Sequence, residues 1–592
     1  MDGEHGHQLL LYQYCQSLIV RFELLERDGL ARIGRLELDG VEHETPAIAF
    51  IDSKRYPAPK DVLKLAPSAS GSQGDITVAR SEFSKHDGSI SDDKATLKPG
   101  FRDSPYANEI EGGELLTLKE ISSLLLDSRK FVSALAKIKS TQDLLRPLYC
   151  SVAGLPHRLA LLVYCGIDVF DSIPLIMAAE NGSYLQTSGV LDYGRIKELP
   201  CSCPACSSNE RGKEQLLNHN YNAALNELRL VMHVIREGRL RELVETRIRA
   251  DPWLVQNLRL LDLEQYDLQE RHWPIKGSTF HAGSKESLTR PDIVRWRKRL
   301  EQRYKRPQTA KILLLIPCSA RKPYSMSQSH ARFRDALISS GRYELVHEVI
   351  VTSPLGLVPR ELELFYPAKD YDIPVTGHWD RDERRLAEDM VSWLVSTQRY
   401  DLVISHLGDE REPVNSVLTD FIDTSEGNPG SRESLTRLEQ TLKERVVQPP
   451  AEDVRSRGIE DMRSICRHQF GEPGDRLCEG VRISGRWPNL KIVKDGEQLG
   501  MLTGDRGMIS LTMAGARLIA KSGTYCVEID DFIPKGNLFA VGVENATPDV
   551  RIGDDVAITH RGEVRGVGVA RMTAEEMILA ERGEAVHVRH EA

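Results

Sequence analysis

The chain has 592 residues, of which 28% are charged and 40% are hydrophobic, and its net charge is −9. That length predicts roughly three to five domains, and the composition is that of an ordinary soluble protein. The acidic net charge excludes a basic field over the whole surface, so any RNA contact must use local basic patches.

Residues 1–275 form the first predicted domain. Its apolar segments at Ala31–Leu38 and Thr45–Ile51 predict strands, with a turn at Asp39-Gly40 between them. From about 67 to 113 the chain is polar and rich in Ser, Gly and Asp, which indicates a loop-rich insert.

Helical periodicity dominates from about residue 114 to 260. The exception is the continuous apolar run Leu159–Tyr164, which predicts a strand.

A basic connector is predicted at residues 276–308. A solvated helix face and a helix that contacts phosphates explain its charge equally well. Its basic residues are Arg290, Arg295, Arg297, Lys298, Arg299, Arg303, Lys305 and Arg306.

Residues 309–445 alternate strand and helix patterns, which predicts an α/β domain with a partly parallel sheet. Its predicted strands are Ile312–Ile316, Glu348–Thr352 and Leu402–His406.

The last two predicted domains are a mixed α+β segment at 446–522 and a small β-barrel at 523–592. Short strands at close spacing with glycine turns indicate the barrel. The whole chain is therefore predicted to be a multidomain α/β protein.

The start of the chain is acidic and polar, unlike a signal peptide, and no apolar run is long enough to span a bilayer. The ten cysteines are sparse, and three of them fall within six positions. We therefore expect a cytoplasmic protein with no membrane contact and no disulfide framework.

A metal site is predicted where Cys201, Cys203 and Cys206 precede His219. Three thiolates and one imidazole form a closed tetrahedral shell that suits a structural zinc ion. His233 is a weaker alternative for the fourth ligand, because it lies further into the predicted helix.

This Cys-x-Cys-x-x-Cys and His-Asn pattern resembles the zinc module of tRNA-guanine transglycosylases, which are (β/α) barrels that exchange a base in tRNA. The segment Cys165–Ser172 resembles the family's nucleophile motif, which implies that Asp171 stands at the position of the attacking carboxylate. The family's second acidic motif is replaced here by Asp52-Ser53-Lys54-Arg55-Tyr56. We therefore expect a degenerate barrel-like domain without base exchange.

The most informative stretch runs from Ile316 to His330, between a predicted buried strand and a predicted helix. It carries Cys318, Lys322, Tyr324, Ser327 and His330. A turn between strand and helix is where α/β proteins place ligand chemistry, so these residues are the predicted catalytic set.

The string Cys-x-x-x-Lys-Pro-Tyr-x-x-Ser-x-x-His in this stretch resembles the signature of the archaeosine synthase family. The segments Ser353–Glu363 and Tyr371–Trp379 are also similar to this family. The resemblance implies addition of an amine to the nitrile of 7-cyano-7-deazaguanine (preQ0) at position 15 in the D-loop of tRNA. It further implies lysine or glutamine as the donor and a radical SAM partner enzyme.

A thiolate at Cys318 would add to the nitrile, and an amine would then displace it. The position facing a helix N-terminus predicts a lowered pKa for this thiol. His330 or Tyr324 would supply the proton, and Lys322 would hold an anion or keep the thiolate charged. Direct attack by the amine, with Cys318 as a packing residue, is the open alternative.

The C-terminal barrel resembles a PUA domain, which implies binding of structured RNA. Lys535 and Arg551 are predicted to neutralise phosphates, and Gly536 to allow close approach of the backbone. The alternatives to an archaeosine synthase are a tRNA-guanine transglycosylase and a non-catalytic tRNA scaffold. A homo-oligomer is expected.

Overall fold

The computed structural model forms two compact units, one ending at Gln269 and the other beginning at Glu270. The residues that the structure describes are 20–38, 41–67, 76–78, 107–109, 116–118, 121–140, 142–208, 210–374, 378–425 and 427–592. The turn predicted at Asp39-Gly40 and most of the polar insert predicted at 67–113 lie outside them.

The first unit is built on a mostly parallel sheet of order β6-β5-β4-β10-β9-β8-β7, beside an antiparallel sheet β1-β2-β3 and a hairpin β11-β12. The bounds of its strands are β1 Val20–Asp28, β2 Ala31–Leu38, β3 Val41–Thr45, β4 Ala47–Ile51, β5 Lys64–Pro67, β6 Ile76–Val78, β7 Ala107–Glu109, β8 Leu116–Leu118, β9 Leu148–Tyr149, β10 Val169–Asp171, β11 Ser183–Gln186 and β12 Gly189–Asp192.

Helices follow the later strands of this unit, as helical periodicity after residue 114 predicts. The bounds of these helices are α1 Ile121–Leu124, α2 Ser128–Lys139, α3 Pro156–Tyr164, α4 Ile173–Glu180, α5 Pro204–Ser207, α6 Lys213–Arg236, α7 Leu240–Arg247 and α8 Pro252–Glu264. Helix α9, Tyr266–His272, spans the boundary between the units.

The strand predicted at Leu159–Tyr164 is wrong, because these residues lie in α3. Every residue of α3 except Arg158 is buried, so the helix shows no polar face from which a helical period can be recognised. Pro156 stands in its first turn, where its missing N–H has no intrahelical partner to lose.

A buried ion pair joins the two sheets of the first unit. The Arg32 guanidinium donates to both carboxylate oxygens of Asp168, at 2.7 and 2.8 Å, and to three backbone carbonyls. The backbone N–H of Leu148 donates to the same carboxylate. Burial opposes ionisation, but the charges of Arg32 and Lys139 hold the pKa of Asp168 below its usual value.

The second unit contains a central five-stranded sheet of order β16-β15-β14-β18-β19, in which only β16 is antiparallel. The pair β13-β17, a four-stranded antiparallel sheet β20 to β23 and a six-stranded sheet β25-β29-β28-β27-β24-β26 complete the unit. The bounds of its strands are β13 Phe280–His281, β14 Ile312–Pro317, β15 Val346–Thr352, β16 Gly356–Pro359, β17 Tyr371–Asp372, β18 Leu402–Ser405, β19 Ile422–Asp423, β20 Arg482–Arg486, β21 Asn489–Lys494, β22 Glu497–Leu502, β23 Ile509–Leu511, β24 Cys526–Ile529, β25 Leu538–Phe539, β26 Val543–Ala546, β27 Asp555–His560, β28 Glu563–Ala570 and β29 Glu584–Glu591.

Strand β14 is the centre of this unit. Its sequence Ile-Leu-Leu-Leu-Ile is fully buried between parallel neighbours, as expected of a strand covered on both faces. The helices of the unit are α10 Pro291–Arg303, α11 Gln328–Ser340, α12 Arg381–Thr397, α13 Arg411–Asn415, α14 Arg432–Arg445, α15 Ala451–Phe470, α16 Met513–Ala520 and α17 Ala574–Leu579.

Much of the predicted basic connector forms helix α10, and three of its arginines are engaged within the protein while Lys298 and Lys305 are exposed. Arg290 and Arg295 are buried and pair with Asp292 and Glu270, while Arg303 donates to the carbonyl of Gln469. These three arginines therefore lie neither on a solvated helix face nor on a face that is open to phosphates. Among the described helices, none is both long and apolar enough to cross a membrane.

We predict that Asp168→Asn lowers the free energy of unfolding by about 3–5 kcal/mol, because it removes the carboxylate that pairs with the buried Arg32 guanidinium. Urea denaturation monitored by circular dichroism measures this loss. Because the pKa of Asp168 is lower in the folded than in the unfolded protein, its ionised form stabilises the fold at pH values above the unfolded-state pKa. The difference between wild type and variant should therefore shrink as the pH falls through the folded-state pKa of Asp168.

The matched control is Glu42→Gln, which removes an exposed ion pair with Arg35 and should cost less than about 1 kcal/mol. Equal losses in the two variants would contradict a structural role for the buried pair.

Candidate functional site

Three parallel strands end at one edge of the central sheet and bring the candidate site together. Pro317 at the end of β14 pairs with Val351, which sets Cys318 beside Thr352 at the end of β15. On the other side Leu315 pairs with Ser405 of β18, and the chain then turns through Gly408–Glu410. Ligands bind at this edge in open α/β sheets.

Cys318 is partly exposed, and burial raises the pKa of its thiol to about 11. The negative charge of Glu410 acts in the same direction, and a hydrogen bond with Thr352 offsets part of the shift. The predicted lowering of this pKa is therefore wrong. Desolvation is the largest cause of the shift, so burial of the thiol outweighs the stabilisation expected from the start of helix α11.

Glu410 is a residue of this site that the sequence does not identify. Its Oε2 atom is buried and has no hydrogen-bond partner among the described residues. Burial raises the pKa of the Glu410 carboxyl to about 7. A carboxyl that titrates near neutrality beside a thiol is a suitable general acid or base.

A chain of hydroxyl groups lies behind the thiol. The Tyr324 and Tyr371 hydroxyl oxygens are 2.5 Å apart, and Thr352 Oγ1 is 2.7 Å from the Tyr371 hydroxyl. Lys322 Nζ lies 4.1 Å from the ring centroid of Tyr371, and burial lowers the pKa of Lys322. Of the predicted catalytic set, the structure therefore brings Cys318, Lys322 and Tyr324 together.

His330 and Ser327 lie beside this cluster in structural positions. The Ser327 hydroxyl accepts from the backbone N–H of His330 and caps helix α11. His330 Nδ1 is 2.7 Å from Arg360 Nη2 and must accept this bond, because a guanidinium only donates. Burial and the nearby arginine hold the pKa of His330 well below its usual value. The ring proton is therefore on Nε2, which is buried and has no hydrogen-bond partner among the described residues, and the predicted proton transfer by His330 stays a prediction.

Asp171 belongs to the first unit and is fully buried. Its Oδ2 accepts from the Tyr149 hydroxyl at 2.7 Å and from the Val152 N–H at 3.0 Å, and its Oδ1 accepts from the Ile173 N–H at 2.9 Å. Asp52, at the place of the second acid, is exposed and pairs with Lys64.

The predicted metal ligands meet at one point of the first unit. The ligand atoms of Cys201, Cys203, Cys206 and His219 all lie within 4.8 Å of one another. His219 Nδ1 faces the Cys206 sulfur at 3.2 Å, and its Nε2 donates to the Leu185 carbonyl at 2.9 Å. A second hydrogen bond of this kind is typical of a metal-bound imidazole. His233 is exposed beside Glu237 and does not join the group.

The residues predicted to bind RNA have different surroundings. Lys535 and Gly536 are exposed, and Gly536 has a φ of +80°, which favours glycine. Arg551 donates to Glu270 at 2.9 Å and to the Pro548 carbonyl at 2.6 Å, so its guanidinium is engaged within the second unit. The structure thus leaves Lys535, and not Arg551, available to a phosphate.

Three family models match the chain. Queuine tRNA-ribosyltransferase matches residues 112–252, Domain of unknown function (DUF5591) matches 293–442, and PUA domain matches 527–592. The strand-end cluster lies in the second of these segments, and the cysteine cluster lies in the first.

Curated relatives match over most of the length. The archaeosine synthase of Haloferax volcanii is 33% identical over 96% of this chain and 99% of its own length. Archaeosine synthase subunit alpha of Methanosarcina acetivorans is 36% identical over 81% of this chain and 80% of its own. A tRNA-guanine(15) transglycosylase of Methanobrevibacter smithii is 28% identical over 75% of this chain and 66% of its own. The near-complete overlap with the first of these relatives establishes that the chain belongs to the archaeosine synthase family.

Proposed function

We propose that this chain is an enzyme of tRNA modification in archaeosine biosynthesis that adds lysine across the nitrile of preQ0 in the D-loop of tRNA to form an amidine. The observation that carries the proposal is the thiol of Cys318 near Glu410 at the sheet edge, where the buried Oε2 atom of Glu410 has no described hydrogen-bond partner. The names of the relatives and the PUA segment support a tRNA substrate.

The covalent route begins with ionised Glu410 taking the proton of the Cys318 thiol. The sulfur–carbon bond forms as protonated Glu410 returns this proton to the nitrile nitrogen, which gives a thioimidate. The neutral donor amine then adds to the same carbon, the carbon–sulfur bond breaks, and one amine proton passes through Glu410 to the departing sulfur, which leaves the amidine and the Cys318 thiol. A base beside the thiol is required because its raised pKa leaves little thiolate at neutral pH.

The direct route uses the same base. Here Glu410 takes a proton from the donor ammonium, the amine attacks the nitrile carbon, and Cys318 only shapes the pocket. Lys322, held over the Tyr371 ring, provides a cation for the nitrogen that gains negative charge in either route. Tyr324 and His330 then act as positioning residues.

Two alternatives place the function elsewhere. A transglycosylase would use Asp171, but both of its carboxylate oxygens already accept hydrogen bonds within the first unit. A tRNA scaffold would have no use for a carboxyl near a thiol with one buried oxygen left without a hydrogen bond. We further propose that a radical SAM partner enzyme converts the amidine to the final product.

Zinc is the metal that we propose for the cysteine cluster. The donor set of three thiolates and one imidazole matches a closed structural site, and the Leu185 carbonyl fixes the tautomer that leaves Nδ1 as the ligand. Such a closed shell holds the loop and α6 together and offers no position for substrate.

We predict that Glu410→Gln lowers the turnover of preQ0-tRNA with lysine by about 10²–10⁴-fold, because the glutamine amide cannot accept the proton of the thiol or of the donor ammonium. The wild-type rate should rise with pH as Glu410 ionises near pH 7, and this rise should be absent from the variant. Mass spectrometry of digested tRNA nucleosides at a series of pH values measures both effects.

The control is Glu412→Gln, an exposed glutamate of the same helical segment, which should keep the wild-type profile. Identical profiles for Glu410→Gln and Glu412→Gln would remove Glu410 from the mechanism. Cys318→Ala separates the routes, since only the covalent one requires the thiol.

We predict one zinc ion per chain, and its loss in the double variant Cys203→Ser with Cys206→Ser. Plasma mass spectrometry of the purified protein measures the metal content. Loss of zinc should unfold the surrounding segment, because ligand binding stabilises only the folded site. Cys526→Ser serves as the control. Unchanged zinc in the double variant would overturn the assignment.

A further inference from the structure

A cavity of about 600 Å³ opens beside the strand-end cluster and is not used by the mechanism above. It is bounded by the start of α11, the turn Arg360–Leu362, helix α15 and strands β20 and β21. Its polar lining includes Ser325, His330, Glu348, Glu361, Glu363 and Asp461.

Two glutamates of this lining are buried with one oxygen each left without a donor. Glu361 is 5% exposed; its Oε1 accepts from the Tyr304 hydroxyl at 2.5 Å, and its Oε2 has no hydrogen bond to any described residue. Glu363 is 0% exposed; its Oε2 accepts from Arg360 and from the Ser325 N–H, while its Oε1 has no described partner. Buried acceptors of this kind favour a ligand that donates hydrogen bonds.

The whole lining holds five arginines and four carboxylates, but the charge of its less exposed part favours a cationic donor. Its less exposed part holds four carboxylates and only two guanidinium groups, with Arg360 paired to Glu348 and Glu363, and Arg457 paired to Asp461. His330 adds no positive charge, since its Nδ1 accepts a hydrogen bond from Arg360. An ammonium group would supply both the missing charge and the missing donors.

The rest of the lining differs in character. Arg334, Arg455 and Arg482 are exposed at the cavity and present cations to solvent. Apolar side chains supply much of the remaining surface, among them Val454, Ile459, Met462, Ile465 and Ile483. Buried acids, an apolar wall and exposed arginines together suit a ligand with an ammonium group, an aliphatic stem and a carboxylate.

We propose that this cavity binds the amine donor as an α-amino acid with a cationic aliphatic side chain. The side-chain ammonium would lie against Glu361 and Glu363, and the carboxylate would lie toward the exposed arginines. The inference rests on the proposed function for its biochemical meaning. Its location fits, because the His330 ring is 5.5 Å from the Tyr324 ring of the strand-end cluster.

The test is isothermal titration calorimetry of L-lysine into the full chain, alone and with unmodified tRNA, which has no nitrile to react. L-norleucine, which lacks the side-chain ammonium, is the matched ligand control. We expect lysine to bind and norleucine to bind at least about tenfold more weakly. Absence of lysine binding in both arms would overturn the proposal.

The variants Glu361→Gln and Glu363→Gln should each weaken lysine binding at least about tenfold and raise the KM for lysine more than they lower kcat. The control is Glu452→Gln, which changes an exposed glutamate on helix α15 and should leave the lysine affinity and the KM for lysine unchanged. Thermal melts identify any variant that fails to fold. Unchanged lysine affinity in both folded glutamine variants would also overturn the proposal.

The two proposals fail in different ways. If wild type forms no lysine amidine while the calorimetric pattern holds, the proposed reaction is wrong and the binding site stands. If the amidine forms normally but the KM for lysine is unchanged in both glutamine variants, the cavity is wrong and the reaction stands.

Discussion

The candidate site depends on the hydrogen bonds that the Arg360 guanidinium donates. It donates to Glu348 at 2.8 Å, to Glu363 at 3.0 Å and to His330 Nδ1 at 2.7 Å. These three bonds join strand β15, the turn after β16 and the first turn of α11. Burial disfavours the charged guanidinium, but the two carboxylates outweigh this effect and raise the pKa of Arg360 above its usual value. One cation thereby fixes one wall of the donor cavity and the helix that follows the reactive turn.

The two units have separate roles in this account. The first unit carries the cysteine cluster and a saturated Asp171, which fit a tRNA-docking platform with a structural metal. The second unit carries the strand-end cluster and the acidic cavity. The strand-end cluster lies within the segment matched by a domain of unknown function, while the cavity joins that segment to helix α15 and strands β20 and β21.

Local patterns predicted the strand–turn–helix around Cys318 and the four clustered metal ligands, because each depends on residues close in sequence. Glu410, Thr352 and Tyr371 were missed, since only the pairing of β14 with β15 and β18 and the folding of later loops bring them to Cys318. The pKa of the Cys318 thiol was predicted in the wrong direction because desolvation by burial outweighs the stabilisation expected from the helix N-terminus. Arg551 was predicted to contact RNA, and the connector arginines were predicted to lie on a solvated face or to contact phosphates, but Glu270 pairs with Arg551 and Arg295, and Asp292 pairs with Arg290.

The central claim is that nitrile chemistry occurs at the strand end of the second unit and not at Asp171. In the most direct measurement, preQ0-tRNA and ¹⁵N-labelled lysine are incubated with each of two folded variants, Asp171→Asn and the double variant Cys318→Ala with Glu410→Gln. Mass spectrometry of the digested nucleosides then detects the labelled product. We expect labelled amidine with Asp171→Asn and none with the double variant. Labelled amidine from the double variant, together with its loss in Asp171→Asn, would contradict the central claim.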